Sequence, residues 1–129
     1  MRTSLIFATL FVGLLNAQDH FPAQDPIAGR SLWRASVTAL AVANTLDIHS
    51  SWGKYELNPA LAGPRHQFGA QGAILKLGFQ GTVVGLEYLI TRRRPSRRLY
   101  QALSIINFGA SATIGSVAAH NYTVPRPLR

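Results

Sequence analysis

No cysteine occurs among the 129 residues, which excludes a disulfide framework, a thiolate metal site and a cysteine nucleophile. Acids are scarce as well. Five Asp and Glu stand against thirteen Lys and Arg, and charged residues make up 14% of a chain that is 47% hydrophobic. That is one domain at most, and more apolar than a soluble domain of this length needs. The mean hydropathy is nevertheless only +0.11, so the apolar residues must be gathered into segments. Catalytic signatures are missing too: there is no GxSxG, P-loop, dinucleotide fingerprint or HExxH, and no strand precedes the glycine-rich "GAQGAILKLG".

What is present is four apolar segments. Residues 1–17, "MRTSLIFATLFVGLLNA", have a basic second residue, an apolar core over 5–15 and a small residue at Ala17. This is the layout of a secretory signal peptide; because Leu15 is bulky for a cleavage site, an uncleaved signal anchor is the alternative. Residues 18–30, with Pro22, Pro26 and Gly29, read as a polar link. The segments 31–52, 70–91 and 99–120 each have the roughly twenty residues that cross a ~30 Å hydrocarbon core, and no proline interrupts them. The expected fold is all-α: a three-helix transmembrane bundle over 31–122, with a tail at 123–129. A soluble bundle of such helices would carry a charged outer face, which these lack.

Helical periodicity, about 100° per residue, assigns faces. On the second span Lys76, Gln80, Glu87 and Thr91 share a stripe, and Gly78, Gly81 and Gly85 share the opposite one; Gly81 and Gly85 have the GxxxG spacing of closely packed membrane helices. On the third span Ser104, Asn107, Ser111, Gly115 and Ala118 form a small, polar stripe expected to face protein. Leu99, Leu103, Ile106, Ile114 and Val117 are expected to face lipid.

A lone charge at bilayer depth costs about 2.5–3.5 kcal/mol, so ionisable residues inside spans need partners. An antiparallel hairpin of the first two spans brings Asp47 level with Lys76 and Arg34 level with Glu87. Arg34 and Asp47 lie about 140° apart on their helix, so both pairs are not equally well aimed, and Arg34 has the alternative of extending to the interface. Such pairs either fix the register of the helices or serve as a proton or ion pathway.

The densest polar stretch is "TLDIHSSWGKYELNPAL", 45–61. Asn44, Asp47 and Ser51 lie on one helical face, and His49 points roughly 160° from Asp47, so the two do not make a metal site on a regular helix. No HxxxH or HxxE spacing supports a metal at His66 or His120, and neither a metal nor a cofactor is expected. Trp52 and Tyr55 fit an interfacial aromatic belt, Gly53 a helix stop, and Asn58 with Pro59 the start of a turn. Glu56 is left without an assigned structural role. Asp47, Ser50 or Ser51, Glu56, Asn58 and Pro59 together resemble the Asp-x-x-Ser/Thr and Glu-x-Asn-Pro motif of a family of small bacterial multi-spanning membrane proteins of unknown function. The resemblance, over about 31–122, implies a bundle of three membrane helices with these groups gathered at one end; it implies no activity. This chain departs from it in its few charges after the motif and its arginine-rich second loop.

That loop, "RRRPSRR", holds Arg92, Arg93, Arg94, Arg97 and Arg98. Short arginine-rich loops stay on the cytoplasmic side and touch anionic lipid. Nucleic-acid binding is not expected, since no aromatic residues are interleaved. A cleaved signal peptide would place the loop outside, against that tendency. The expected function is an accessory or partner-binding protein of a bacterial inner membrane, multi-pass, in contact with the lipid bilayer and with a membrane protein partner or further copies of itself. The alternatives are a membrane-embedded enzyme using Asp47 and Glu56 as acid and base, and a small transporter or ion-conducting oligomer using Asp47 and Glu87.

Overall fold

The computed structural model describes residues 28–125. The expected signal segment, most of the link after it and the last four residues of the tail lie outside the described residues. Among the described residues the fold consists of three helices: α1 (Arg30–Ser51), α2 (Ala70–Arg93) and α3 (Arg97–Thr123). α3 is longer at both ends than the 99–120 expected. At its start the Ser96 hydroxyl accepts from the Leu99 amide at 3.2 Å, an N-cap that lets the helix begin at the arginines. α1 is preceded by Gly29 at its N-cap, whose φ of +103° an L-residue rarely adopts; an added Cβ there would also stand 3.1 Å from Tyr100 Cβ.

α1 and α3 run side by side in the same direction along their whole length. The pairs that tie them step forward together: Trp33 with Tyr100, Ser36 with Asn107, and Ser51 with Asn121. Small side chains make this approach possible. Ser36, Leu40, Ala43, Asp47 and Ser50 of α1 are buried, as are Ser104, Asn107, Gly115 and Ala118 of α3. Their three-and-four spacing keeps each set on one face, and four of the five α3 residues assigned a protein-facing stripe are among them, with Ser111 half-buried. On the opposite side Ile106 and Val117 are exposed, while Leu99, Leu103 and Ile114 are half-buried.

α2 crosses back antiparallel to both and meets them chiefly through long side chains near its ends. Its inward stripe is the one the periodicity assigns: Glu87 and Thr91 are buried and Lys76 and Gln80 half-buried. Outside that stripe the helix is bare, with Ile74, Phe79, Leu86 and Ile90 among its large exposed apolar residues. α2 and α3 are long and apolar enough to cross a membrane; α1 does not meet the same test. Arg34, Asn44, Asp47 and His49 dilute its apolar residues.

The chain between α1 and α2 folds back on itself through isolated antiparallel bridges, Tyr55 with Gln67 and Ala62 with Phe68. Phe68 is 2% exposed and plugs the junction of the loop with α2. Gly72 is what admits it: a Cβ there would lie 2.6 Å from the Phe68 ring and 2.7 Å from the Leu61 carbonyl oxygen.

Candidate functional sites at the two ends of the bundle

At the loop end, Asp47 is 4% exposed and forms an ion pair with Lys76 of α2. The spacing of Asn44, Asp47 and Ser51 on α1 puts all three on the buried face. Ser51 Oγ donates to Asp47 Oδ1 at 3.5 Å and accepts from Asn121 Nδ2 at 2.9 Å, so the carboxylate is held from α1, α2 and, through the serine, α3. No hydrogen bond joins Asn44 to this group; its amide donates to the Leu40 carbonyl of its own helix at 3.1 Å. The Lys76 ammonium also lies 4.9 Å from the centre of the Phe68 ring, a cation–π contact that compensates part of its desolvation. Lys54 donates to the Asn121 carbonyl, which places a cation on the negative end of α3.

Glu56 is not gathered into this group. Its Oε1 accepts from the Asn58 amide at 2.9 Å, and Asn58 Oδ1 in turn accepts from the Ala60 amide at 3.0 Å. The Asn58 carbonyl takes the Leu61 and Ala62 amides, both at 3.0 Å. Glu56, Asn58 and Pro59 therefore build one turn, and no hydrogen bond joins Glu56 to Asp47. His49 faces away from Asp47, as its helical angle requires, and its Nδ1 lies 2.8 Å from the Tyr122 hydroxyl. Among the described residues no group of three His, Asp or Glu side chains is placed to hold a metal.

The arginine end holds the second buried carboxylate. Glu87 is 5% exposed, and the expected partner, Arg34, does not reach it. Glu87 Oε2 instead accepts from Trp33 Nε1 at 2.7 Å and from Asn107 Nδ2 at 2.9 Å. Asn107 Nδ2 also lies 3.3 Å from Ser36 Oγ. The reason is the angular placement of the two side chains. Trp33 and Arg34 are at nearly the same depth but about 100° apart on α1; the Trp33 side faces α2 and α3, and Arg34 is exposed. A buried indole needs an acceptor for its N–H, and two donors on a carboxylate give hydrogen bonds of roughly 1.5–3 kcal/mol each. The signal was present in the sequence as a tryptophan beside the arginine. Between the two ends, on the same stripe of α2, Gln80 Oε1 is buried and accepts no hydrogen bond among the described residues.

The glycines of α2 stand apart from both sites. A Cβ added at Gly78, Gly81 or Gly85 would meet nothing within 4 Å, so no described helix occupies the GxxxG face. Arg92, Arg93, Arg94, Arg97 and Arg98 are exposed. Four of them are helical, and only Arg94, Pro95 and Ser96 form the connection. No protein-family model, no curated protein and no solved structure matches the chain.

Proposed function

We propose that the chain is a multi-pass protein of a bacterial inner membrane that acts as an accessory component, binding another membrane helix through the outer face of α2. The observation that carries this reading is the bare glycine face. Glycine in a helix interior costs about 0.5–1 kcal/mol relative to alanine, and lipid contact gives nothing in return; close approach of a second helix does. The charged residues of α2's apolar length support it by their direction. Lys76 is engaged with Asp47 and Glu87 with Trp33 and Asn107, so the outer face from Ala70 to Ile90 presents no charge to a neighbour. Both buried acids are thereby given structural work, and Glu56 has its own in the turn. The motif resemblance to small bacterial multi-spanning membrane proteins agrees with this reading.

Because the chain has no cysteine, single-cysteine crosslinking in intact membranes tests it directly. Gly81→Cys and Thr82→Cys are expected to give a discrete adduct, a disulfide dimer if the neighbour is a second copy and a bifunctional-reagent adduct if it is another protein. Gln101→Cys, exposed on α3, serves as the comparison. An adduct pattern that does not distinguish these positions would contradict the reading.

A further inference from the structure

We propose that the arginine end of the bundle is a binding site for the headgroup of an anionic phospholipid, formed by Arg34 of α1 together with Arg93, Arg94, Arg97 and Arg98. It rests on the membrane part of the function proposed above and not on the partner-binding part. The sequence gives an arginine loop; the structure adds Arg34 to it. Trp33 satisfies Glu87, which leaves Arg34 exposed, one residue beyond the tryptophan whose ring packs 5.8 Å from Tyr100 near the start of α3. The backbone agrees: a Cβ on Gly29, at the head of α1, would lie 3.5 Å from the Arg97 carbonyl. Arg34 and the loop arginines therefore share one end of the molecule.

The local field there is positive beyond the side chains. Arg97 and Arg98 occupy the first turn of α3, where the helix dipole already places partial positive charge and where acidic residues normally sit. The first turns of α1 and α3 contain no acid, and among the described residues the carboxylate at this end, Glu87, is buried and occupied by neutral donors. An external anion is what such an arrangement attracts. Its chemical class follows from the neighbouring surface. Within about one helical turn of the arginines, Tyr88, Leu89 and Ile90 of α2 are each half or nearly half exposed. A ligand that touches both regions has an anionic head and apolar tails. A nucleic acid meets the first requirement only.

The test uses the full chain reconstituted in vesicles with equal parts phosphatidylcholine and phosphatidylglycerol, with retained lipids read by native mass spectrometry. Phosphatidylglycerol is expected to be retained in preference, and each of Arg34→Gln and Arg97→Gln to lower that preference by about fivefold, the factor for one arginine at an anionic surface. Arg65→Gln, an equal loss of charge in the loop at the opposite end, is expected to leave it unchanged. Arg94→Gln, in the connection and outside any helix, repeats the test without touching a packed face. The proposal is overturned if wild-type protein shows no headgroup preference, if Arg65→Gln reduces it as much as Arg34→Gln, or if inorganic phosphate or an oligonucleotide displaces the lipid at equal concentration. Should Phe79→Cys on α2 prove open to water in those vesicles, the membrane reading itself has failed; with Phe79 shielded, an absent preference removes the lipid assignment alone.

Discussion

The Trp33 indole N–H donates to Glu87 Oε2 at 2.7 Å, so a neutral donor on α1 takes the position in which equal depth would place Arg34. Trp33→Phe keeps the ring and removes the donor, leaving Asn107 alone on that oxygen. A loss of stability of about 1–3 kcal/mol is expected, the cost of undoing one hydrogen bond to a buried charged group. Arg34→Gln is expected to change stability by less than about 0.5 kcal/mol, as for an exposed position. Unfolding of the two variants in the same detergent compares them.

Asp47 and Lys76 are expected to behave as a pair. Removing one partner leaves the other buried without its counter-charge, so Lys76→Met should cost about 3 kcal/mol, the low end for buried pairs because Lys76 retains some exposure. Adding Asp47→Asn to Lys76→Met should recover part of that loss. A double-mutant cycle in denaturant reads the coupling; additive losses would mean that the contact carries no stability.

Two glycines on α2 should respond oppositely to the same methyl group. Gly72→Ala drives a Cβ into the Phe68 ring and the Leu61 carbonyl, and overpacking of this kind costs about 1–3 kcal/mol. Gly81→Ala meets open space within the chain and should stabilise the isolated helix by about 0.5–1 kcal/mol. Thermal unfolding of the purified protein separates the two, and in membranes Gly81→Ala should also weaken the crosslink expected on that face.

Glu56 is expected to matter as an acceptor and not as an acid. Glu56→Gln keeps an oxygen for the Asn58 amide and should be close to neutral, whereas Glu56→Ala should loosen the turn at a cost of about 1 kcal/mol. Amide exchange at Asn58 reports it directly. Equal protection in the alanine variant would contradict this role.

Much of this arrangement could be read from the sequence, and its failures have physical reasons. The buried face of α3 and the shared face of Asn44, Asp47 and Ser51 follow from helical period alone. The Asp47–Lys76 pair follows from depth plus the need of a buried charge for a partner. Depth fixes which residues are level, not which side chain turns inward, so equal depth points Glu87 to Arg34 while the inward-turned side chain is Trp33. The closest helix pair is not set by order along the chain. Sequential elements are usually adjacent, yet α1 packs most closely on α3, because α1 and α3 carry the small residues that allow close approach. The loop's plug, Phe68 over Gly72, is set by the fold-back that brings the Leu61 carbonyl to Gly72, which no helical period announces. The Glu56 role was within reach, since its bond to Asn58 spans only two residues.

The proposed function requires α2 to be surrounded by membrane, and the cysteine-free chain allows a direct measurement of it. Phe79 is 75% exposed near the middle of α2. In sealed vesicles, and again after they are made leaky, Phe79→Cys should resist a membrane-impermeant maleimide, while Arg65→Cys and Arg94→Cys, in the connections at opposite ends, should be labelled from opposite sides. Ready labelling of Phe79→Cys, or labelling of both connections from one side, would contradict it.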